Sequence, residues 1–420
     1  MKAYDSYKDS GIHWLPYIPF HWSSSKVKSH FRLRAIKVSD QDYPALSVSK
    51  NGVTPQIETA IKTDNGDNRK LVKAGDFVVN SRSDRKGSCG VSTIDGSVSL
   101  INIVLEPING YAQYYHYLFR SNDYIEEFYR YGRGIVSDLW TTRWNEMSSI
   151  MIPFPPVEEQ KKIVAYLDKR ITLIDNCKCQ RERELQTLNE LKQAKIASVV
   201  TRGLNPNVPM KDSGIPWIGQ IPEHWETKRI ATHFHNRIEN NSDFEFKHAF
   251  KFNYGEIVPK NEMGTPEEYH DVYIKYSKVK KNDIMINGLN LNYDFVSQRV
   301  AIVPNDGIIT SAYIVLRPFS TTIAPYFCYL FKAMDYMKLF HAMGTGIRLT
   351  LSFDELKRQI IPIPPIEEQN SIVEYIESKT SKIDTMIESL KAEIDRLTEY
   401  KQRLISDVVT GQIDVRGEQI

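Results

Sequence analysis

The 420-residue chain has no excess of charge of either sign, with 54 lysines and arginines against 52 aspartates and glutamates. No global basic field announces a polyanion, so any surface for one has to be local. The chain lacks an apolar run near the roughly twenty residues of a membrane span and opens with no basic, apolar signal segment; the expectation is a cytoplasmic protein. Cysteine is scarce: Cys89, Cys177, Cys179 and Cys328 fit a reducing compartment. Cys177 and Cys179 lie in a helical run without the wider spacing and second pair of a zinc site, so neither metal nor cofactor is expected. Catalytic signatures are missing too. There is no Gly-x-x-x-x-Gly-Lys-(Ser/Thr) phosphate loop, no Asn-Pro-Pro-Tyr element of an adenine methyltransferase, no His-Glu-x-x-His and no Gly-x-Ser-x-Gly. The chain reads as chemically inert, not an enzyme. What remains, 41% hydrophobic and 25% charged, is globular with room for more than one core.

What is present occurs twice. Lys8-Asp9-Ser10-Gly11-Ile12, Trp14, Ile18-Pro19 and His21-Trp22 return as Lys211-Asp212-Ser213-Gly214-Ile215, Trp217, Ile221-Pro222 and His224-Trp225, ten identities in fifteen positions. A second block, Ile152-Pro153, Pro155-Pro156, Glu158-Glu159-Gln160, Ile163-Val164 and Tyr166, returns as Ile361-Pro362, Pro364-Pro365, Glu367-Glu368-Gln369, Ile372-Val373 and Tyr375. Between the blocks the halves barely match, apart from traces such as Gly132-x-Gly134-Ile135 against Gly344-x-Gly346-Ile347. A repeated frame with unlike inserts suits a protein that reads two different things with one geometry.

The second block opens a helix: prolines end an extended stretch, and the glutamates place negative charge in a first turn, where the helix dipole favours it. Alternate steps of three and four from Val164 then run through Leu167, Ile174, Leu185 and Leu188 to Val199; those from Val373 run through Ile376, Ile383, Leu390 and Leu397 to Val408. Each is an a/d seam longer than a usual globular helix. Gly203 and Gly411 close the rods. Two rods of about forty residues, each on the order of 60 Å, are each other's obvious partners, antiparallel if the halves obey a pseudo-two-fold axis. Ordinary helix packing is the plainer reading of such stripes.

Lys-Asp-Ser-Gly-Ile-x-Trp-(x)3-Ile-Pro-x-His-Trp opening each half and Ile-Pro-x-Pro-Pro-(Val/Ile)-Glu-Glu-Gln-(x)2-Ile-Val opening each rod resemble the specificity subunit of Type I restriction-modification enzymes, over essentially the whole chain. The resemblance implies an α+β protein in which two target-recognition domains are joined by two long antiparallel helices. The expected boundaries are 1–155 and 204–364 for the recognition domains, 156–203 and 365–413 for the spacer helices, and 414–420 for a tail. It implies a non-catalytic subunit that reads a split double-stranded DNA site, one half per domain, the helices setting the gap. The implied partners are two adenine-N6 methyltransferase subunits and, through them, the endonuclease and translocase subunits. A duplicated coiled-coil scaffold that assembles proteins without reading DNA remains the alternative.

Within the first insert Lys62, Arg69, Lys70, Lys73, Arg82, Arg85 and Lys86 form a locally basic stretch among Asp64, Asp67, Asp76 and Asp84. Asn80, Arg82, Arg85 and Lys86 follow the strand-like run Phe77-Val78-Val79, which puts them on a loop at a strand end. In the second insert Lys278 and Lys280 precede the run Ile284-Met285-Ile286, which leads into Asn287, Asn290 and Asn292. Asparagine pairs bidentately with adenine and arginine with guanine, so the two loops suit different half-sites; the Asn-Gly pair equally reads as a turn. The Gly-x-Gly elements lack a dinucleotide fingerprint, and a glycine-flexed loop beside Arg133, Arg143 and Arg348 suits a phosphate backbone. A turn before the strand leading to the Pro-Pro hinge is the equal alternative. The repeated tryptophans read as a clasp between insert and frame, with core histidines.

Overall fold

A computed structural model describes residues 2–50, 52–56, 66–134, 140–237, 239–261, 264–293 and 298–418. Lys62, Asp64 and Ile135 lie outside the described residues. The chain divides into two compact units, Met1–Glu182 with Ala392–Ile420, and Arg183–Lys391.

Each insert carries its own antiparallel sheet, and the two sheets have one strand order that their sequences conceal. In the first unit the order is Cys89–Val91, Phe77–Asn80, Asn102–Pro107 and Phe31–Leu33; in the second it is Val300–Ile302, Ile284–Ile286, Ile314–Pro318 and Phe234–Asn236. Taken in chain order, the four strands occupy the same places in both. Each central strand is apolar and fully buried at Phe77 and Val78, or at Ile284, Met285 and Ile286, as expected for a strand covered on both faces. Just before it, the buried carboxylates of Asp76 and Asp283 each accept a backbone N–H, from Lys73 and Lys280 at 2.8 Å, and pair with an arginine. That arginine is Arg34, just after Phe31–Leu33, in one unit and Arg317, within Ile314–Pro318, in the other. A hairpin, Leu46–Ser49 with Gly52–Pro55 or Phe250–Asn253 with Glu256–Pro259, accompanies each sheet.

Both long helices form. Val157–Arg202 has 46 residues and Ile366–Val409 has 44. Within the first unit Asp175 pairs with Lys401 at 2.7 Å and Arg181 with Glu393 at 3.0 Å, partner numbers that fall as the first rise, so the segments run antiparallel. Within the second unit Lys192 meets Asp384, and Ile196 and Val200 share a core with Ile372 and Ile376. Leu167, Ile174, Ile376 and Ile383 are buried, while Leu185, Leu188, Leu390 and Leu397 are partly covered. The alternating steps fail near the end of the first helix. Lys195 is exposed and Ile196 and Val200 take the inner positions, because a helix of 3.6 residues per turn drifts off a 3.5 repeat. No described helix is long and apolar enough to cross a membrane.

The two repeated blocks meet. Glu159, in the first turn of the first long helix, accepts hydrogen bonds from Trp22 Nε1 at 3.1 Å and Tyr4 OH at 2.7 Å, and contacts His21 Nε2 at 2.7 Å. Glu368 does the same in the second unit for Trp225 at 2.9 Å and His224 at 2.8 Å. Trp22 and Trp225 are completely buried, but His21 and His224 are not core residues: their side chains are 37% and 46% exposed, facing water while held by the glutamate. Gly411 lies against Pro19 and Trp22, and Gly203 against Pro222 and Trp225, with φ of +77° and +76°. Each glycine follows the end of one long helix and packs beside the start of the other. Tyr114 OH and Tyr326 OH donate to the carbonyls of Val409 and Val200, closing the same helix ends. Gly203→Ala and Gly411→Ala should each cost about 1–2 kcal/mol from the left-handed backbone alone, read as a lower denaturant midpoint at unchanged slope; full stability of either variant would contradict this packing.

Candidate nucleic-acid interface

In the first unit the loop after Phe77–Asn80 is built by its own polar groups. Asn80 Oδ1 accepts the N–H of Arg82 at 3.1 Å, and a short 3-10 turn, Ser83–Arg85, follows. The Gly-x-Gly segment lies against it. Arg82 and Arg133 each bridge to Thr141, Ser83 N–H donates to Trp140 O at 2.9 Å, and Thr142 N–H donates to Ser81 O at 3.0 Å. Residues separated by half the insert thus share one face. A cleft of about 540 Å³ there is lined by Lys50, Asn80, Arg82, Arg85 and Asn102 among others. Arg143, exposed, lines a neighbouring cleft beside Lys70 and Trp144.

The cations on this face are restrained by acids and remain accessible. Arg82 and Arg85 flank Asp84 at 3.1 and 3.6 Å, with side chains 46% and 66% exposed. Lys86 pairs with Glu126 at 2.9 Å and lies over the Tyr129 ring, while Arg133 meets Glu146 at 3.5 Å. Two members of the basic stretch, Arg69 and Lys70, are structural instead, while Lys73 keeps a side chain 40% exposed. Arg69 is buried on Ser97, and burial lowers its pKa; Lys70 donates to the Asn102 carbonyl, and Lys73 pairs with Asp95.

The second unit repeats the construction with different chemistry. Asn287 Oδ1 accepts the N–H of Leu289 at 3.2 Å, the counterpart of the Asn80 turn. The following loop is held by Arg299, which the sequence reading missed. Its guanidinium donates to the carbonyls of Asn287, Leu289 and Asn290 at 3.0, 2.6 and 3.2 Å. Asn290 takes φ of +49°, a conformation asparagine tolerates. Asn290 and Asn292 are exposed, and Asn287 is half-buried. Here too the Gly-x-Gly segment docks on the loop: Leu291 N–H donates to Leu349 O and Leu351 N–H to Gly288 O, both at 2.9 Å. Arg348 is thereby brought to the side of the asparagines, exposed.

Lys278 has to be withdrawn as a DNA contact. Its side chain is 5% exposed, with Asp243 at 2.6 Å, Glu245 at 2.7 Å and Glu239 at 3.5 Å. The hydrogen bonds to Asp243 and Glu245 raise its pKa, so the charge is kept and already answered. Lys280 is exposed, and its backbone N–H is bound by Asp283. Lys50 was missed because its turn carries no apolar periodicity.

Burial pushes the Cys89 thiol up to about 12 and raises Cys328, which disfavours thiolate at either. No group of three His, Cys, Asp or Glu among the described residues is placed to hold a metal ion.

A family model described as Type I restriction modification DNA specificity domain matches residues 29–187 and 222–396. The chain is 25% identical over 286 residues to the Type I restriction enzyme EcoBI specificity subunit of Escherichia coli, covering 64% of this chain and 59% of that protein. It is 24% identical over 294 residues to the Type I restriction enzyme MjaVIII specificity subunit of Methanocaldococcus jannaschii, covering 64% and 63%. The matches thus span under two thirds of those relatives' length. A chain in a solved structure titled "Structural basis underlying complex assembly and conformational transition of the type I R-M system" aligns at TM-score 0.67 and 13% identity, over 94% of this chain and 99% of that one, a likeness of fold.

Proposed function

This chain belongs to the family of Type I restriction-modification DNA specificity domains, and from that premise we propose that it is the non-catalytic subunit that addresses such a complex to a two-part, asymmetric DNA site. Each recognition domain, 1–155 and 204–364, owns one half. The observation that carries the reading is the pair of equivalent loops: the same strand end in the same sheet presents Asn80, Arg82 and Arg85 in one unit and Asn287, Asn290 and Asn292 in the other. One geometry with two sets of base-reading groups is what a split target requires. The chain would act in the cytoplasm, without cofactor or metal, bound to two adenine-N6 methyltransferase subunits and through them to endonuclease and translocase subunits. The methyltransferase partner would flip out the target adenine; this chain would supply position.

Lys50, Arg82, Arg85, Lys86, Arg133, Arg143, Lys280 and Arg348 are the accessible cations of the proposed interface. Binding of the assembled chain and methyltransferase complex to DNA should weaken with salt and favour one bipartite sequence. Arg82→Ala and Arg85→Ala should each lower the slope of log affinity against log salt by about one if they hold phosphates, or relax one base position if they read bases. Lys278→Ala should leave the slope unchanged. Assembly without sequence-selective duplex binding would favour the scaffold reading.

A further inference from the structure

Ile347 is 99% exposed, the most open large apolar side chain among the described residues, well above Tyr254 at 74%. It stands on a built tip. Thr345 and Thr350 exchange two backbone hydrogen bonds of 3.0 and 2.9 Å, and Leu349 N–H donates to Gly346 O at 3.1 Å, closing a turn with Ile347 and Arg348 at its centre. Gly346 has φ of +76°, and Leu349 is held at +45°, unfavourable for leucine. The base of the hairpin compensates: Leu349 O accepts from Leu291 N–H at 2.9 Å, and Gly344 sits against the buried Leu291 side chain. This strained, anchored tip projects an isoleucine into solvent beside the Asn287–Asn292 loop, where burial of the isoleucine contributes nothing to folding.

Resting on the recognition reading above, we propose that Ile347 is a specificity-determining residue of the second domain, packing on the 5-methyl group of a thymine in the major groove of its half-site. Groove dimensions favour the site: the major groove, about 12 Å wide, admits a two-stranded ribbon in undeformed duplex, whereas the minor groove, about 6 Å, has to be widened or bent to take one. Among base edges in the major groove, the thymine methyl is the apolar group an isoleucine can bury. Arg348, next in the turn, reaches the phosphate backbone, and the amides of Asn287, Asn290 and Asn292 supply the polar readout alongside.

The test uses the chain assembled with its methyltransferase subunits and duplexes carrying the target read from methylated adenines. Each thymine of the second half, on either strand, is replaced singly by deoxyuridine, which keeps the pairing and loses the methyl. One position should cost the wild type about fourfold in affinity, the worth of a buried methyl group. That cost should vanish in Ile347→Ala, while deoxyuridine in the first half acts alike on both proteins. Arg348→Ala should lower the salt slope by about one and leave the deoxyuridine effect intact. Because Ile347 is outside every core cluster, Ile347→Ala should fold as the wild type does. Equal deoxyuridine effects in wild type and Ile347→Ala, or a second half with no thymine on either strand, would overturn the proposal. Absence of sequence-selective binding by the wild type would sink the recognition reading first, and this inference with it.

Discussion

Replacing residues 26–150 by the corresponding segment of another specificity chain should exchange one half of the target completely and leave the other half untouched. The segment closes one apolar cluster of its own, around Leu46, Val72, Val78, Val98 and Val104, and its Phe31, Phe77, Leu105, Tyr115 and Phe119 join a core shared with frame residues of the same unit, such as Ile163, Leu167 and Val408. Its ends join the frame where Ser23–Lys26 pairs with Met151–Phe154 through backbone hydrogen bonds that depend little on side-chain identity. The second unit closes separate clusters around Ile286, Phe327 and Phe331 and around Phe250, Met285 and Val315. Since each wrong base pair costs about 1–3 kcal/mol, a changed half-site of several bases abolishes recognition of the old target. Mapping methylated adenines in DNA from cells carrying the exchanged chain decides it. A change in both halves would contradict division of labour between the loops.

Trp22→Ala should remove about 3–5 kcal/mol of stability, the range for truncating a fully buried aromatic side chain. The indole is completely buried beside Tyr4, Pro19 and Gly411, and its N–H goes to Glu159. Removing it opens a cavity and takes one donor from a carboxylate that is only 6% exposed. With total stabilities of about 5–15 kcal/mol, the loss is a large share. Trp225→Ala should act likewise in the second unit, where Trp225 is as deeply buried against Gly203 and Glu368. Denaturant unfolding of the full chain measures both, and a loss under about 1 kcal/mol would show that the clasp can collapse without harm. Trp22→Phe, which keeps bulk and drops the donor, should cost less than Trp22→Ala.

The loops were legible at the level of residue type and position. Asn80 with Arg82 and Arg85, and Asn287 with Asn290 and Asn292, could be picked out because each follows a short apolar run that ends a strand. Their company was hidden. Arg133 and Arg348 join these loops through backbone bridges, which leave no trace in side-chain pattern. Lys278 looked like a contact because charge is visible in a sequence and its neutralisation is not. Asp243 and Glu245, 35 and 33 residues away, complete that ion cluster only after the chain turns back. Arg299 was invisible for the same reason: it acts on carbonyls, and every residue has one.

The sequence alone determined the duplication, the two long helices and most of their inward-facing stripe, because repeats, proline-to-glutamate helix starts and apolar periodicity are local properties carried by adjacent residues. It also placed the two candidate loops after their strands. Only the tertiary structure decided that both inserts carry one sheet, since strand order depends on backbone pairing that unlike side chains can satisfy equally. It alone decided that Glu159 and Glu368, beyond any dipole effect, hold Trp22 and Trp225 from the other repeated block. And it alone separated cations that stay accessible from those buried among their partners, because burial is set by residues distant along the chain.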